Sequence, residues 1–290
     1  MGTNMLTGRI IKGVGGNYTV TAPDGRDFVC QARGLFRKHE ITPLVGDLVE
    51  ISNVDETQLT GYLHQILPRT NELVRPRVAN VDQAVVVCAV RPVVNLPMLD
   101  AFLINCQMQG VKSILCINKI DLCDAESYAE VAQIYTMAGY QTLAVSAETG
   151  AGMDELNAVL AGKTTIFAGP SGVGKSSILN HLHPDLGLTT GGLSEKIGRG
   201  KHTTRHTQLI KLGQGTYVVD SPGFTNISID KIPKADLQHY YPEFAPYLGS
   251  CFFAKCAHLQ EPDCAVKEQV GKTIHPRRYG QYKNFMEAVK

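Results

Sequence analysis

A glycine-rich stretch at residues 169–177 constrains this chain more than any other part of its sequence. It lies between a short apolar run and a helix-like run, and it matches the phosphate-binding pattern G-x-x-x-x-G-K-S. Such a loop points its backbone N–H groups inward at the start of a helix, where the helix dipole adds to the positive field. The pattern predicts phosphate binding by Gly169, Pro170, Ser171, Gly172, Val173, Gly174, Lys175, Ser176 and Ser177. We expect Lys175 to contact the β- and γ-phosphates of a nucleotide and Ser176 to ligate Mg²⁺.

Two further motifs are typical of loops that recognise guanine. Asn118, Lys119 and Asp121 belong to an N-K-x-D tetrapeptide that directly follows an apolar run. The Asp121 carboxylate can accept from both the ring N–H and the exocyclic amine of guanine, a donor pair that adenine lacks. Asn118 is expected to hold the neighbouring loops together, and the Lys119 stem to pack over the base. After the next run, Ser146 and Ala147 begin an S-A-x-x-G motif, in which the Ala147 N–H is expected to meet guanine O6.

Two segments after the phosphate loop fit the switch regions of a GTPase. Residues 198–206 are rich in Gly and basic residues, and we expect Thr204 in this segment to ligate Mg²⁺, with Thr203 as the alternative. Asp220 and Gly223 belong to a D-x-x-G motif at the end of an apolar run. There Asp220 is expected to hold Mg²⁺ through water, and the Gly223 N–H to contact the γ-phosphate.

The order of these motifs predicts a circular permutation. In a Ras-like GTPase the phosphate loop comes first, whereas here N-K-x-D and S-A-x-x-G precede it and D-x-x-G comes last. The same sheet can be permuted because the termini of a domain often lie close together. Residues 69–228 are therefore predicted to form a permuted P-loop domain, a parallel sheet with helices on both faces, after a linker at 68–72.

Residues 1–68 predict a separate β-barrel. Five short alternating stretches are separated by turn signals, which most simply indicates an OB-fold. Such barrels often bind nucleic acid, and a merely solvated surface is the alternative. Four basic residues are candidates for a nucleic-acid contact: Arg26, Arg33, Arg37 and Lys38.

The C-terminal part, residues 229–290, contains a metal-binding pattern. Three cysteines and one histidine form C-x4-C-x-H-x5-C: Cys251, Cys256, His258 and Cys264. Three thiolates and an imidazole match a closed structural Zn²⁺ site, because no position is left open for catalytic water. The alternative is a cluster of buried cysteines beside a surface histidine. We predict one structural zinc in a mainly helical module.

The tail after this pattern permits two interpretations. Basic and aromatic residues alternate there: His275, Arg277, Arg278, Tyr279, Tyr282 and Lys283. They suit RNA phosphates and bases, and they equally suit an amphipathic helix that docks on the protein and exposes its charges.

Composition excludes several classes of protein. The net charge of +1 argues against a strongly basic nucleic-acid binder. No apolar run approaches the length of a membrane span, so we expect no membrane partner. The N-terminus lacks a signal-peptide core, which favours a cytoplasmic protein whose eight cysteines do not form disulfides. We also expect a monomer.

Taken together, the barrel, the permuted motifs and the cysteine pattern resemble the RsgA family of ribosome small-subunit-dependent GTPases over essentially the whole chain. The resemblance implies a GTPase that binds the 30S subunit and 16S rRNA and is stimulated by the 30S late in its maturation. It also implies a catalytic role for His202, in a G-x-H-T-T context. Ras-like enzymes carry a water-orienting glutamine just after D-x-x-G, and Phe224 occupies that position here.

Two other functions compete with this interpretation. A nucleotide-regulated RNA clamp would bind GTP without significant turnover, and a metabolic kinase would use the phosphate loop on another substrate. The two switch motifs favour the hydrolase over the clamp. The kinase interpretation does not account for the N-K-x-D and S-A-x-x-G motifs.

Overall fold

A computed structural model describes residues 5–32, 36, 41–74, 76–91, 94–186, 207–213, 215–220, 229 and 232–289. None of the helices within these ranges is both long enough and apolar enough to cross a membrane.

The N-terminal part forms the predicted five-stranded, OB-like barrel. The strands are β1 (Leu6–Val14), β2 (Asn17–Thr21), β3 (Asp27–Ala32), β4 (Leu48–Asp55) and β5 (Thr60–Ile66). Their order is β1-β2-β3-β5-β4, and pairing of β1 with β4 closes the barrel. Alternate residues such as Ile10, Val20 and Phe28 point inward and are fully buried, as expected where one face of each strand packs on a core.

The central sheet has six strands in the order β10-β9-β8-β11-β13-β12. They are β8 (Gln83–Ala89), β9 (Lys112–Asn118), β10 (Gln141–Ala144), β11 (Thr164–Ala168), β12 (Gln208–Gly213) and β13 (Thr216–Asp220). Five strands are parallel, as predicted, but β12 is antiparallel to β13. The physical reason is the short connection between these two strands, because a parallel crossover needs about a dozen residues or more.

Helices cover both faces of this sheet. They are α1 (Leu96–Met108), α2 (Ala125–Thr136), α3 (Met153–Leu160) and α4 (Lys175–Leu182). Helices α1 and α2 pack with Val86, Leu115 and the barrel core on one face. Helices α3 and α4 pack with Val87 and Phe167 on the other. Every residue of β8 is buried, which explains the unbroken apolar sequence of residues 84–89.

The predicted linker is a packed joint. Two short strands, β6 (Glu72–Leu73) and β7 (Val78–Ala79), pair with each other beside the barrel. Arg69 donates from Nε and Nη2 to the fully buried carboxylate of Asp47, over 2.7 and 2.8 Å. In addition, β1 pairs with β12, so the strands of the barrel and of the central sheet form one continuous eleven-stranded sheet.

The C-terminal module is mainly helical, as predicted. It contains α5 (Lys234–Leu237), α6 (Ala265–Glu268), α7 (Pro276–Ala288) and 3₁₀ turns at Gln238–Tyr240 and Pro242–Tyr247. Its core contains Tyr241, Phe244 and Tyr282, whose ring centroids are 4.9–5.2 Å apart. Ile104 of α1 packs into the same core.

The tail helix α7 docks on the protein through a charged residue. Arg278 is 1% exposed and donates from Nε to Glu243 over 2.7 Å. Its Nη1 lies 2.6 Å from Asp100 of α1, which also accepts from Tyr135 of α2 over 2.8 Å. The docking interpretation therefore describes this face of the helix, while the neighbouring residue Arg277 is exposed.

Candidate functional site

The phosphate loop occupies the turn from β11 into α4, and two of its glycines are sterically required. Gly169 and Gly174 have φ values of +134° and +95°, which L-residues rarely adopt. A Cβ at Gly169 would lie 2.2 Å from the Val87 carbonyl oxygen, and one at Gly174 would lie 2.2 Å from Asn118 Nδ2. The close approach of the neighbouring strands β8 and β9 therefore excludes a side chain at either position.

Lys175 closes the loop onto its own backbone. Its Nζ donates to the carbonyl oxygens of Gly169 and Pro170 over 2.8 and 2.7 Å. Burial lowers the pKa of Lys175, because desolvation disfavours the ammonium form. A phosphate oxygen entering the loop would compete with these two carbonyls for the same cation. The neighbouring Ser176 is buried in the first turn of α4.

The N-K-x-D loop contacts the phosphate loop directly. Asn118 Nδ2 donates to the Val173 carbonyl over 2.9 Å, and Lys119 Nζ donates to the Gly172 carbonyl over 2.7 Å. Asn118 Oδ1 also accepts from the Ala147 N–H over 3.2 Å. Asn118 thus joins the N-K-x-D loop to the phosphate loop and to the S-A-x-x-G loop.

Ser146 organises the second base-recognition loop. Its hydroxyl donates to Asp121 Oδ1 over 2.5 Å and accepts from the Thr149 N–H over 3.1 Å. Its backbone N–H donates to the Ala151 carbonyl over 2.9 Å. These bonds orient the Asp121 carboxylate, the group predicted to contact guanine.

All of these loops lie at one edge of the central sheet. Asn118 ends β9, the phosphate loop follows β11, and Asp220 ends β13, which runs parallel to β11. In open α/β sheets, ligands bind at the carboxyl ends of the strands.

Some predicted residues lie outside the described residues. They are His202, Thr203, Thr204, Gly223 and Phe224 of the proposed nucleotide site, and Arg33, Arg37 and Lys38 of the barrel.

The four predicted zinc ligands come together in the C-terminal module. The ligand atoms of Cys251, Cys256, His258 and Cys264 all lie within 4.8 Å of one another. The Sγ atoms of Cys251 and Cys264 are 3.8 Å apart, and His258 Nδ1 lies 3.6 Å from Cys251 Sγ. Tetrahedral zinc places two sulfurs about 3.8 Å apart and a sulfur and a nitrogen about 3.6 Å apart. The cluster therefore has the donor set that fits this ion, and these two distances match the tetrahedral spacing.

Two residues that no sequence motif marked shape this cluster. Gln238 Oε1 lies 2.7 Å from His258 Nε2. Because that oxygen only accepts, the hydrogen belongs on Nε2, and the Nδ1 lone pair faces the thiols. Burial lowers the pKa of His258, which favours the neutral ring. Glu261 accepts from the N–H groups of Ala257 and Leu259 over 2.7 and 2.8 Å and so holds the loop around His258.

The barrel presents an uncharged face across three paired strands, β2, β3 and β5. Two lateral rows of residues define it: Asn17, Gln31 and Tyr62, and Thr19, Val29 and Thr60. Val29 and Tyr62 are exposed. Arg26, a predicted nucleic-acid contact, forms ion pairs with Asp24 at 2.7 Å and Glu56 at 3.2 Å. The exposed aromatic on this face, rather than Arg26, offers contacts suited to a base.

Comparisons with known proteins agree along the whole chain. A model of the RsgA GTPase matches residues 66–230, and a model of the RsgA N-terminal domain matches residues 7–63. A curated protein of Agathobacter rectalis named small ribosomal subunit biogenesis GTPase RsgA is 46% identical, over 98% of each chain. The crystal structure of YjeQ from Thermotoga maritima superposes with a TM-score of 0.83 at 35% identity, over 98% of each chain. YloQ, described as a circularly permuted GTPase, gives 0.79 at 37%, over 98% of this chain and 94% of that one.

Proposed function

The chain belongs to the RsgA family of GTPases, and on this premise we propose that it binds the 30S ribosomal subunit and hydrolyses GTP there late in small-subunit maturation. The observation that carries the proposal is the full-length likeness to a curated small ribosomal subunit biogenesis GTPase, at 46% identity. Such a role assigns the protein to the cytoplasm, where we propose that it acts as a monomer. The division at residues 68 and 228 into barrel, GTPase domain and zinc module remains a prediction.

The proposed nucleotide site assigns one task to each loop. Asp121 would accept from the two guanine donors, and the Ala147 N–H would contact O6. Lys175 would exchange its backbone carbonyl partners for the β- and γ-phosphates. Ser176 and Thr204 are the proposed Mg²⁺ ligands, with Asp220 acting through water and the Gly223 N–H at the γ-phosphate. Mg²⁺, when bound, would neutralise charge that develops on the phosphates.

His202 is the proposed catalytic residue. Phe224 cannot orient a water molecule, since its ring has no hydrogen-bonding group. A histidine that orients or polarises the attacking water typically contributes about 10²–10⁴-fold. We expect His202→Ala to retain GDP affinity and to lose the 30S-stimulated rate. Full stimulated turnover in this variant would exclude His202 from the role.

We propose that the cysteine–histidine cluster binds one structural Zn²⁺. The donor set of the cluster and the bond that His258 Nε2 donates to Gln238 Oε1 support this assignment. In a small module with a limited core, metal binding supplies much of the folding free energy.

We propose that 16S rRNA contacts the barrel face defined above and the exposed side of α7. Tyr62 offers a ring for base stacking, and Lys283 is exposed for a phosphate contact. Arg277 is also exposed and would exchange its ion pair with Glu130 for a phosphate. The buried Arg278 is unsuited to this task.

Sedimentation with purified subunits tests the proposal. The full-length protein is incubated with 30S or 50S subunits and either a non-hydrolysable GTP analogue or GDP, and pelleted through sucrose. The proposal expects co-sedimentation with 30S only, and more of it with the GTP analogue. Equal recovery of the protein with 50S subunits, or no recovery with either subunit, would contradict the proposal. Tyr62→Ala should weaken binding, with exposed Val74→Ala as the control.

A further inference from the structure

His181 lies near the end of the phosphate-loop helix α4 and contacts the second base-recognition loop. Its Nδ1 is 3.0 Å from the carbonyl oxygen of Ala147. Because a carbonyl only accepts, Nδ1 must carry the hydrogen, which is possible in one neutral tautomer and in the imidazolium. His181 therefore donates to the same residue whose N–H is proposed to meet guanine O6.

The ring also packs against a glycine of that loop. Gly150 has φ +81°, and a Cβ built there would lie 3.2 Å from His181 Cε1. The bare backbone at Gly150 thus makes room for the imidazole. The S-A-x-x-G glycine has a second purpose here beyond its turn conformation, because it allows α4 to approach the loop.

Ala147 is held less firmly on its amide side than on its carbonyl side. Its N–H reaches Asn118 Oδ1 over a long 3.2 Å, a bond that a guanine O6 could replace. The preceding residue, Ser146, is fixed by its N–H, its carbonyl and its hydroxyl. Beyond it, the bond from His181 fixes the Ala147 carbonyl.

We propose that His181 is a positioning residue for guanine recognition, holding Ala147 so that its N–H is directed at O6 of the base. This inference rests on the nucleotide site proposed above. It couples the helix that follows the phosphates to the loop that contacts the base.

A role in folding alone would predict a different pattern of effects. His181 is exposed, whereas Ile178 and Leu179 anchor α4 in the core. Removing the His181 donor should leave the thermal stability of the protein unchanged. It should weaken the binding only of ligands that accept a hydrogen bond at O6.

The test compares two nucleotides and three variants of the full-length protein. GDP and 6-thio-GDP differ only in the acceptor at position 6, and sulfur accepts hydrogen bonds weakly. His181→Phe keeps a ring without a donor, and His181→Asn places an amide N–H close to the position of Nδ1. His64→Phe, at an exposed barrel position, is the matched control. Dissociation constants are measured by calorimetry, and Tm by scanning fluorimetry.

We expect His181→Phe to weaken GDP binding about two- to tenfold, the range for one hydrogen bond. Binding of 6-thio-GDP should be nearly unchanged, and His181→Asn and His64→Phe should resemble the wild type. Equal weakening for both nucleotides, or no weakening for GDP, would overturn the inference. If His181→Phe lowers the Tm, His181→Gln is used in its place, because the glutamine amide lies one bond farther from the backbone than the position of Nδ1. A wild-type protein that binds GDP no better than ADP would instead refute the nucleotide site itself.

Discussion

Replacing Arg278 should destabilise the protein far more than replacing its neighbour Arg277. Arg278 is 1% exposed, and its guanidinium faces the carboxylates of Glu243 and Asp100, which are also 1% exposed as side chains. Arg278→Met removes the cation and leaves two carboxylates in the interior without it. Breaking a buried pair in this way typically costs about 3–5 kcal/mol.

The neighbouring arginine provides a matched control on the same helix. Arg277 pairs with Glu130 at 2.7 Å, but the two side chains are 56% and 55% exposed. Exposed pairs contribute about 0–1 kcal/mol. The two substitutions remove the same side chain and charge, so their difference reports burial.

Urea unfolding of the full-length protein, with a fitted slope for each variant, measures both effects. We expect Arg278→Met to lose about 3–5 kcal/mol and Arg277→Met less than about 1 kcal/mol. Equal losses would refute the argument that Arg278 is the buried anchor of α7. A two-stage transition in the Arg278 variant would show that the C-terminal module separates first, and it would support the anchor.

Three further outcomes are expected. Burial raises the pKa of Asp100 above its ordinary 3.8, although Arg278 opposes the shift. The proton on Asp100 therefore stabilises the folded state at low pH, and this contribution is lost as pH rises through the raised pKa. Asp100→Asn should remove this pH dependence from the free energy of unfolding measured across pH. An unchanged pH dependence would assign the effect to another group. Arg69→Met leaves Asp47 buried without its cation and should cost about 1.5–3 kcal/mol in urea unfolding, so an unchanged midpoint would show that the joint does not depend on this pair. Chelation of metal, or Cys264→Ser, should lower the Tm of the C-terminal module, and a Tm indifferent to chelator would contradict a structural zinc.

Local chemistry explains why much of this molecule was predictable. The phosphate loop and the N-K-x-D loop each need particular residues at fixed spacing, so the chemistry is visible in consecutive positions. The cysteine–histidine cluster is equally local, lying within residues 251–264. The barrel strands were visible because one face of each is buried, which imposes alternation.

Contacts between distant residues were not predictable from pattern. Arg278 resembled a solvated or RNA-binding residue, because nothing near it in sequence marks Asp100 as its partner. The joint at Arg69 resembled a linker for the same reason, since Asp47 lies 22 residues away. The direction of β12 is a different case, because the short connection between β12 and β13 is visible in the sequence and by itself excludes a parallel crossover.

The hydrolysis rate of GTP with and without purified 30S subunits tests the central claim most directly. ATP and 50S subunits serve as controls for the base and the partner. We predict a slow rate alone and a rise of about 10²–10⁴-fold with 30S, the gain typical of one positioned acid–base group, with GTP only. A rate unaffected by 30S, despite tight GTP binding, would contradict the account and favour a nucleotide-regulated RNA clamp.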